Sequence, residues 1–176
     1  MKIIIRPENE SDFDSIDVLL KEAFKNDPYS DQKEGELVKA IRETKDYIPE
    51  LSLVLSQDLQ VVGYIMFSKT SIPPAFPNTN CVALAPVAVL PEFQNKGFGG
   101  QLIKQGHHIA LNLGYQLSVV LGHENYYPKF GFKLCSDFGI KLPFDAPKEN
   151  CMVKSLNYEL DNILDSQVNY ASPFYY

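Results

Sequence analysis

Apolar residues recur along the chain with two different periods, and each period predicts one kind of element. Where they return every three or four positions, they mark one face of a helix. Ser11 is a good N-cap for the first such segment, and Asn26-Asp27-Pro28 stops it. Gly114 fits a C-cap for the longest one. The pattern predicts helices over residues 13–24, 34–42 and 97–113, a short helix or turn over 124–130, and a last short helix over 160–166.

Shorter apolar runs rich in β-branched residues predict strands. Pro86 falls inside one of them, and because proline cannot donate to a ladder it predicts a bulge or a broken pairing there. Polar residues 57–60 predict a hairpin loop, and the proline-rich residues 72–78 predict a loop. Strands are predicted over residues 3–6, 51–56, 61–68, 81–89, 117–121, 132–134 and 152–158. Together the elements predict an α+β or mixed α/β domain with one central sheet.

The stretch from Val87 to Gln101 carries the strongest chemical signal. An apolar run ends at Pro91, and a glycine-rich loop then leads into the long helix. Such a loop leaves backbone N–H groups unpaired at the helix N-terminus, so an anion, most naturally a phosphate, is the expected ligand. It is not a Walker loop, because no hydroxyl follows Gly99, and it lacks the third glycine of a dinucleotide fingerprint. A tight strand-to-helix turn without a ligand is the alternative.

Composition narrows the classes of function. The length of 176 residues is typical of one domain, and the net charge of −6 argues against nucleic acid as a partner. No apolar run is long enough to span a membrane, and the N-terminus does not read as a signal peptide. Three separated cysteines predict reduced thiols in a cytoplasmic protein, and the three histidines show no metal-ligand spacing.

Two motifs resemble one protein family. Gln94-Asn95-Lys96-Gly97-Phe98-Gly99 fits the pattern Gln/Arg-x-x-Gly-x-Gly/Ala and resembles the pyrophosphate loop of the GCN5-related N-acetyltransferases (GNAT). Tyr126-Tyr127-Pro128-Lys129-Phe130-Gly131-Phe132 looks like a second signature of that family. Three further stretches resemble its YhbS-like branch of predicted acetyltransferases: Ala85-Pro86-Val87-Ala88-Val89, Leu121-Gly122-His123, and Val168-Asn169-Tyr170 with Pro173-Phe174.

The resemblance implies a fold and a co-substrate. It implies a GNAT-like acyl-CoA N-acyltransferase fold over residues 1–176, with a core of about 3–158 and an aromatic tail over 159–176. The central sheet is expected to be mostly antiparallel with flanking helices. Its one parallel pair, residues 87–89 and 117–121, is expected to splay around acetyl-CoA. No metal is implied. The cofactor-binding residues implied are Val87, Ala88, Val89, Gln94, Asn95, Lys96, Gly97, Phe98, Gly99, Gly100 and Tyr127.

The resemblance also suggests catalytic residues. Tyr127 falls where a family hydroxyl faces the coenzyme sulfur, so it is the expected general acid, with aromatic packing as the alternative. Where many members carry a glutamate, this chain has Ala83. His123 is a possible base, and a surface histidine is the equal alternative. Other candidate bases are Glu124, Glu22, Glu34 and Glu36. Of His107 and His108, one is expected to pack and the other to be solvated.

The implied function is acetyl transfer from acetyl-CoA to a primary amine of a small-molecule or peptide acceptor, by direct attack. A non-catalytic acyl-CoA sensor or accessory subunit is the alternative, and a longer acyl donor stays open. The acids Asp12, Asp14, Asp17 and Glu22 are expected to form a solvated helix face; any that faced the cleft would favour a cationic acceptor. The aromatic tail is expected to dock on its own domain or on a partner, and a homodimer is possible.

Overall fold

In the computed structural model the elements surround one large mixed sheet. The model describes residues 2–73, 76–157, 159–160 and 165–176, and only the backbone of 76–79. The helices are α1 Phe13–Phe24, α2 Glu34–Arg42 and α3 Phe98–Asn112. The strands are β1 Ile3–Pro7, β2 Tyr47–Gln57, β3 Gln60–Ile72, β4 Phe76–Val89, β5 Leu117–Leu121, β6 Lys133–Leu134, β7 Ile140–Lys141, β8 Cys151–Ser155 and β9 Ser166–Gln167.

The main sheet has the strand order β1-β2-β3-β4-β5-β8-β6. All its neighbours pair antiparallel except β4 and β5, which are parallel. Leu53, Val54 and Leu55 are consecutive in β2 and all fully buried, so both faces of the sheet are covered there. This confirms the predicted α+β architecture. None of the helices within the described ranges is long and apolar enough to span a bilayer.

Strands β4 and β5 separate partway along their length. They pair only where Cys81–Ala83 of β4 face Leu117–Val119 of β5, whereas β4 continues along β3 to Val89. Between Leu84 and Val87 the register gains one residue on β4, which is a bulge at the cis Ala85–Pro86 bond. The predicted disruption at Pro86 and the predicted splay are both confirmed. Beyond the bulge, the edge of β4 that faces β5 is no longer paired with β5.

The start of α1 differs from the prediction. A 3₁₀ turn, Glu10–Asp12, precedes the helix, and the Asn9 side chain caps that turn by accepting from the Ser11 N–H at 3.0 Å. Ser11 is therefore not the N-cap, because the chain enters the helix through this extra turn. Asp12 is not solvated either: it is buried and accepts from the Arg6 guanidinium at 2.7 and 2.9 Å. Asp17 pairs with Lys39 of α2.

Helix α2 is fixed to the sheet by a buried ion pair. The Arg42 Nε and NH2 groups donate to the two carboxylate oxygens of Glu8 at 3.0 and 2.6 Å. The Tyr47 hydroxyl donates to the same carboxylate at 2.8 Å, and the guanidinium lies 3.8 Å from the centroid of the Phe13 ring. The pair leaves the Glu8 side chain 1% exposed and the Arg42 side chain 8% exposed, which joins α2 to the segment after β1.

Prolines mislead the prediction in the middle of the chain. Residues 72–78 are predicted as a loop, yet Ile72 ends β3, β4 begins at Phe76, and the two residues pair with each other. Residues 74 and 75 lie outside the described residues. The loop is therefore shorter than predicted, because β4 begins on the N-terminal side of Pro77.

The C-terminal segment packs on the rest of the chain. Asn169 pairs with Ser71 through an N–H···O bond of 2.8 Å, and Ala171 is buried. The Tyr170 ring stacks between Phe144 and Phe174, with centroid distances of 5.0 and 4.9 Å. The predicted docking of the tail on its own domain is therefore confirmed.

The predicted helix over 160–166 is only partly visible. Residues 161–164 lie outside the described residues, and Ser166 begins β9, which pairs parallel with β7. The strand predicted to reach Tyr158 ends at Ser155, and Tyr158 itself lies outside the described residues.

Candidate active site

A cavity of about 820 Å³ opens where β4 and β5 separate. Its walls come from β4 after the bulge, the glycine loop, the end of β5, the connection between α1 and α2, and the segment before β8. Eleven of the twelve residues predicted for the site line it: Val87, Ala88, Val89, Gln94, Asn95, Gly97, Phe98, Gly99, Gly100, His123 and Tyr127. Lys96 does not line it; its Nζ lies 4.7 Å from the centroid of the Phe93 ring.

The glycine loop is shaped by two left-handed residues. Asn95 has φ 60° and Gly97, the residue before α3, has φ 81°, a region where glycine carries no steric cost. The Gln94 side chain donates to the Val89 carbonyl at 3.1 Å and so ties the loop to the strand. Because the first turn of a helix has no internal acceptors, the amides at the start of α3 are left for a ligand. The helix dipole makes that ligand an anion.

The edge of β4 presents main-chain donors to the same cavity. The N–H of Leu90 points away from it, toward β3, where it donates to the Val62 carbonyl at 3.0 Å. Since successive N–H groups of a strand point to opposite sides, those of Val87 and Val89 point toward the gap between β4 and β5. The cavity therefore has donors along one wall and at one end.

Tyr127 is buried at the centre of this arrangement. It begins a 3₁₀ turn, Tyr127–Phe130, and is 7% exposed. Burial raises the pKa of its hydroxyl well above the usual value for tyrosine, so the phenol stays protonated at neutral pH. Among the described residues no group hydrogen-bonds this hydroxyl, although the residue lines the cavity. A Cβ on Gly122 would lie 2.2 Å from the Tyr127 ring, so Gly122 is what lets the ring occupy this place.

Tyr126 is a cavity residue that sequence reasoning missed. Its ring packs edge-on against Tyr127 and Phe130, with centroids 5.2 and 5.1 Å away. Its hydroxyl reaches the start of α3, 2.7 Å from where a Cβ on Gly99 would lie. The motif has two adjacent tyrosines, Tyr126 and Tyr127, and the sequence alone does not show which of the two hydroxyls points to the glycine loop.

The structure separates the candidate bases into those that line the cavity and those that do not. His123 follows β5 and lines the cavity, with its ring 5.4 Å from that of Tyr29. Glu34 also lines the cavity and accepts from the Ser30 hydroxyl at 2.5 Å. The other three candidates, Glu22, Glu36 and Glu124, are exposed and do not line it.

Ala83, where the family pattern has a glutamate, lies instead in a second core cluster with Leu117 and Val119. This places it away from the cavity lining.

The two histidines of α3 behave as predicted. His107 is buried between the rings of Phe67 and Phe132, with its Nε2 3.1 Å from the Ser118 hydroxyl. Burial lowers its pKa to about 3, so it is neutral. His108 is exposed. Neither lines the cavity.

The three cysteines do not line the cavity. Cys81, Cys135 and Cys151 are buried thiols that form no disulfide, and burial raises the pKa of Cys81 and Cys135 to about 12. Across the described ranges, no group of three His, Cys, Asp or Glu side chains is placed to hold a metal.

Comparison with known proteins agrees with this geometry. Residues 16–132 match the family model described as the acetyltransferase (GNAT) family. The chain is 38% identical over 120 residues to the uncharacterized N-acetyltransferase YjhQ of Escherichia coli K12, which covers 67% of this chain and 66% of that protein. It is 30% identical over 173 residues to the uncharacterized N-acetyltransferase YhbS of the same strain, covering 98% of each.

Two solved structures are similar along almost the whole chain. The crystal structure of YhbS from Escherichia coli in complex with CoA has a TM-score of 0.87 at 27% identity and covers 100% of this chain and 93% of that one. A GNAT family acetyltransferase from Brucella melitensis in complex with acetyl-CoA has a TM-score of 0.79 at 32% identity and covers 98% of each chain.

Proposed function

Because the chain belongs to the acetyltransferase (GNAT) family, we propose that it transfers the acetyl group of acetyl-CoA to a primary amine. One observation carries the proposal. The gap between β4 and β5, the free amides of the glycine loop and the hydroxyl of Tyr127, which has no partner among the described residues, all open into the same cavity. The complexes of the two similar structures with CoA and acetyl-CoA support the choice of co-substrate.

The loop fits a pyrophosphate on its own geometry. The amides from Asn95 to Gly100 supply neutral donors at a helix N-terminus, and the left-handed φ of 81° at Gly97 keeps that backbone close to the ligand. Lys96 packs beside Phe93, so binding does not depend on its charge. We assign the pyrophosphate to the loop and the pantetheine arm to the gap along β4.

The reaction is an acyl transfer by direct attack. Acetyl-CoA supplies an activated acetyl group: a neutral amine forms a bond to the thioester carbonyl carbon, the C–S bond breaks, and the coenzyme leaves as thiolate. The N–H groups of Val87 and Val89 stabilise the developing charge on the carbonyl oxygen. The Tyr127 hydroxyl gives its proton to the departing sulfur. Holding both reactants in one cavity supplies much of the remaining acceleration.

Proton removal from the amine is assigned to His123, with bound water. This residue lines the cavity with Tyr127, and imidazole is suited to base chemistry near neutral pH. Glu34 is the second candidate in the cavity, but its carboxylate already accepts from Ser30. An acceptor amine that is partly deprotonated at the working pH needs no further base.

The proposal is tested by calorimetry followed by a transfer assay. Purified protein is titrated with acetyl-CoA and with acetylpantetheine, which lacks the pyrophosphate. We expect micromolar binding that is lost with acetylpantetheine, and then release of free thiol in the presence of a panel of primary amines. A folded protein that does not bind acetyl-CoA would contradict the proposal. Tight binding without thiol release from any amine would favour an acyl-CoA sensor instead.

A further inference from the structure

The charged side chains that line the cavity all have the same sign. Three carboxylates line the cavity: Asp27 and Glu34 from the connection of α1 to α2 and its first turn, and Asp145 from the segment before β8. No lysine or arginine is among the residues that line it. Since the proposed coenzyme site uses neutral amides, these carboxylates are left to bind a ligand of positive charge.

These carboxylates are not neutralised by the protein. Other acidic residues nearby are paired: Asp17 with Lys39, and Glu8 with Arg42. Within the described part of the chain, Asp27, Glu34 and Asp145 take part in no ion pair. Asp27 accepts only the N–H of Tyr29, and Glu34 only the hydroxyl of Ser30, so each keeps capacity for a further donor.

A separate observation points to a ligand in this cavity. Tyr127 is 7% exposed, its hydroxyl is without a hydrogen-bond partner among the described residues, and it lines the same cavity. Because this residue lines the cavity, its hydroxyl is available to hydrogen-bond to a group bound there. The rings of Tyr29 and His123 contact each other across the cavity, and Phe24 also lines it. Aromatic faces beside carboxylates are the surroundings that bind organic cations.

We propose that the acceptor carries a second positive charge beyond the amine that is acetylated, and that Asp27, Glu34 and Asp145 bind this charge. The inference rests on the proposed function, because it names the class of acceptor for the same cavity. The reacting nitrogen must be neutral to attack, so it gains little from a carboxylate. A second ammonium or guanidinium group stays charged throughout and anchors the acceptor. An acceptor with a carboxylate or phosphate is repelled instead.

The test compares acceptors that differ only in charge. 1,4-Diaminobutane, butylamine and 4-aminobutanoate share one primary amine and a four-carbon chain. We expect kcat/KM to fall in that order, by about tenfold or more between the first and the last, which corresponds to one good charge interaction. A lysine-containing dipeptide amide forms a second arm, which distinguishes a peptide source of the cation from a small polyamine.

Neutral variants locate the charge. Asp27→Asn, Glu34→Gln and Asp145→Asn should each lower kcat/KM for the diamine several-fold. For Asp27→Asn and Asp145→Asn, kcat/KM for butylamine and KM for acetyl-CoA should change little. Asp14→Asn is the matched control, because it removes one exposed carboxylate of α1 outside the cavity. Added salt should weaken the preference for the diamine.

Two results of the kinetic comparisons would overturn the inference. One is an equal or greater kcat/KM for 4-aminobutanoate; in that case thiol release would still support acetyl transfer, so only the acceptor class would be wrong. The other is unchanged diamine kinetics in all three neutral variants. Direct titration of the diamine into protein saturated with CoA gives a readout without turnover. Absence of both binding and transfer for every dication would also reject the proposal.

Discussion

The Tyr126 hydroxyl lies 2.7 Å from the position that a Cβ on Gly99 would occupy. That distance is shorter than real side chains tolerate, so Gly99 has two reasons to be glycine: access for the ligand and space for Tyr126. Gly99→Ala should weaken acetyl-CoA binding by about tenfold, or about 1.4 kcal/mol. Because only the hydroxyl is so close, Gly99→Ala with Tyr126→Phe should recover most of the loss. Calorimetry on the two single variants and the double variant measures the coupling.

The same cycle separates the two reasons. A double variant as weak as Gly99→Ala alone would mean that the added methyl obstructs the ligand itself. Wild-type affinity in Gly99→Ala would contradict the assignment of the loop to the pyrophosphate, and a bulkier residue there should abolish binding altogether.

Removal of the Tyr127 hydroxyl should affect turnover and spare binding. Tyr127→Phe is expected to lower kcat by about 10²-fold or more, the usual contribution of a general acid, with nearly unchanged affinity for acetyl-CoA. Burial raises the pKa of this phenol in the folded protein, so its protonated form persists as pH rises and rate loss from its ionisation begins only above its usual range. Pre-steady-state thiol release checks this, and an unchanged chemical step would remove the acid role.

Gly122 is expected to act through Tyr127. A methyl group there would lie 2.2 Å from the tyrosine ring, so Gly122→Ala must displace the ring and should lower turnover as Tyr127→Phe does. If Gly122→Ala acts only by displacing this ring, the double variant Gly122→Ala with Tyr127→Phe should turn over no more slowly than Tyr127→Phe alone. Gly35→Ala is the control, because its Cβ would meet only the Asp17 carboxylate, at 3.3 Å. Additive losses in the double variant would show an independent role for Gly122.

The ion pair of Arg42 and Glu8 should dominate the stability of the α2 region. Arg42→Met leaves the buried Glu8 carboxylate without its partner and should lower the free energy of unfolding by about 3–5 kcal/mol. Lys39→Met removes an exposed partner of Asp17 on the same helix and should cost less than about 1 kcal/mol. Denaturant unfolding compares the two variants. Equal losses would contradict the different burial of the two pairs.

His107 should make the protein sensitive to acid. Its folded pKa of about 3 lies below the unfolded value of 6.5, so the unfolded state binds a proton first. The contribution of His107 to the free energy of unfolding is therefore fully present above about pH 6.5. The free energy of unfolding then falls as pH decreases toward 3, by up to about 1.4 kcal/mol per pH unit. His107→Leu with Ser118→Ala, which removes both partners of the buried contact, should flatten this slope between pH 6.5 and 4.5. His108→Gln should leave the slope unchanged, and a flattened slope there would reassign the titration.

The sequence predicts the limits of an element well where the element has a clear local pattern of apolar residues. Helix α2 and strand β5 have the predicted limits, because the apolar residues of α2 keep the helical period and β5 is a short, almost wholly buried run. The N-terminal limit of β4 was missed, since Pro77 lies within its first residues, whereas its end at Val89 was predicted. The N-cap of α1 was missed because Asn9 and Ser11 are both good caps, and only the intervening turn decides between them.

The candidate site divides in the same way. The glycine loop and the Tyr127 motif are continuous in sequence, so local patterns revealed them. Tyr29 and Asp145 reach the same cavity from distant parts of the chain, through the packing of two connections that have no periodic pattern. Tertiary structure alone brings such residues together, which is why the glycine loop and Tyr127 were predicted for the site and most of the other residues that line the cavity were not.

The bulge in β4 changes how the missing glutamate should be understood. One inserted residue reverses the relation between position number and sheet face, so counting backward from the loop across residues 84–87 arrives at the wrong side of the strand. Ala83 faces the second core cluster, whereas its neighbour Leu84 lines the cavity. Alanine at position 83 is thus no sign of lost activity. Leu84, rather than Ala83, is therefore the residue from which this part of β4 reaches the cavity.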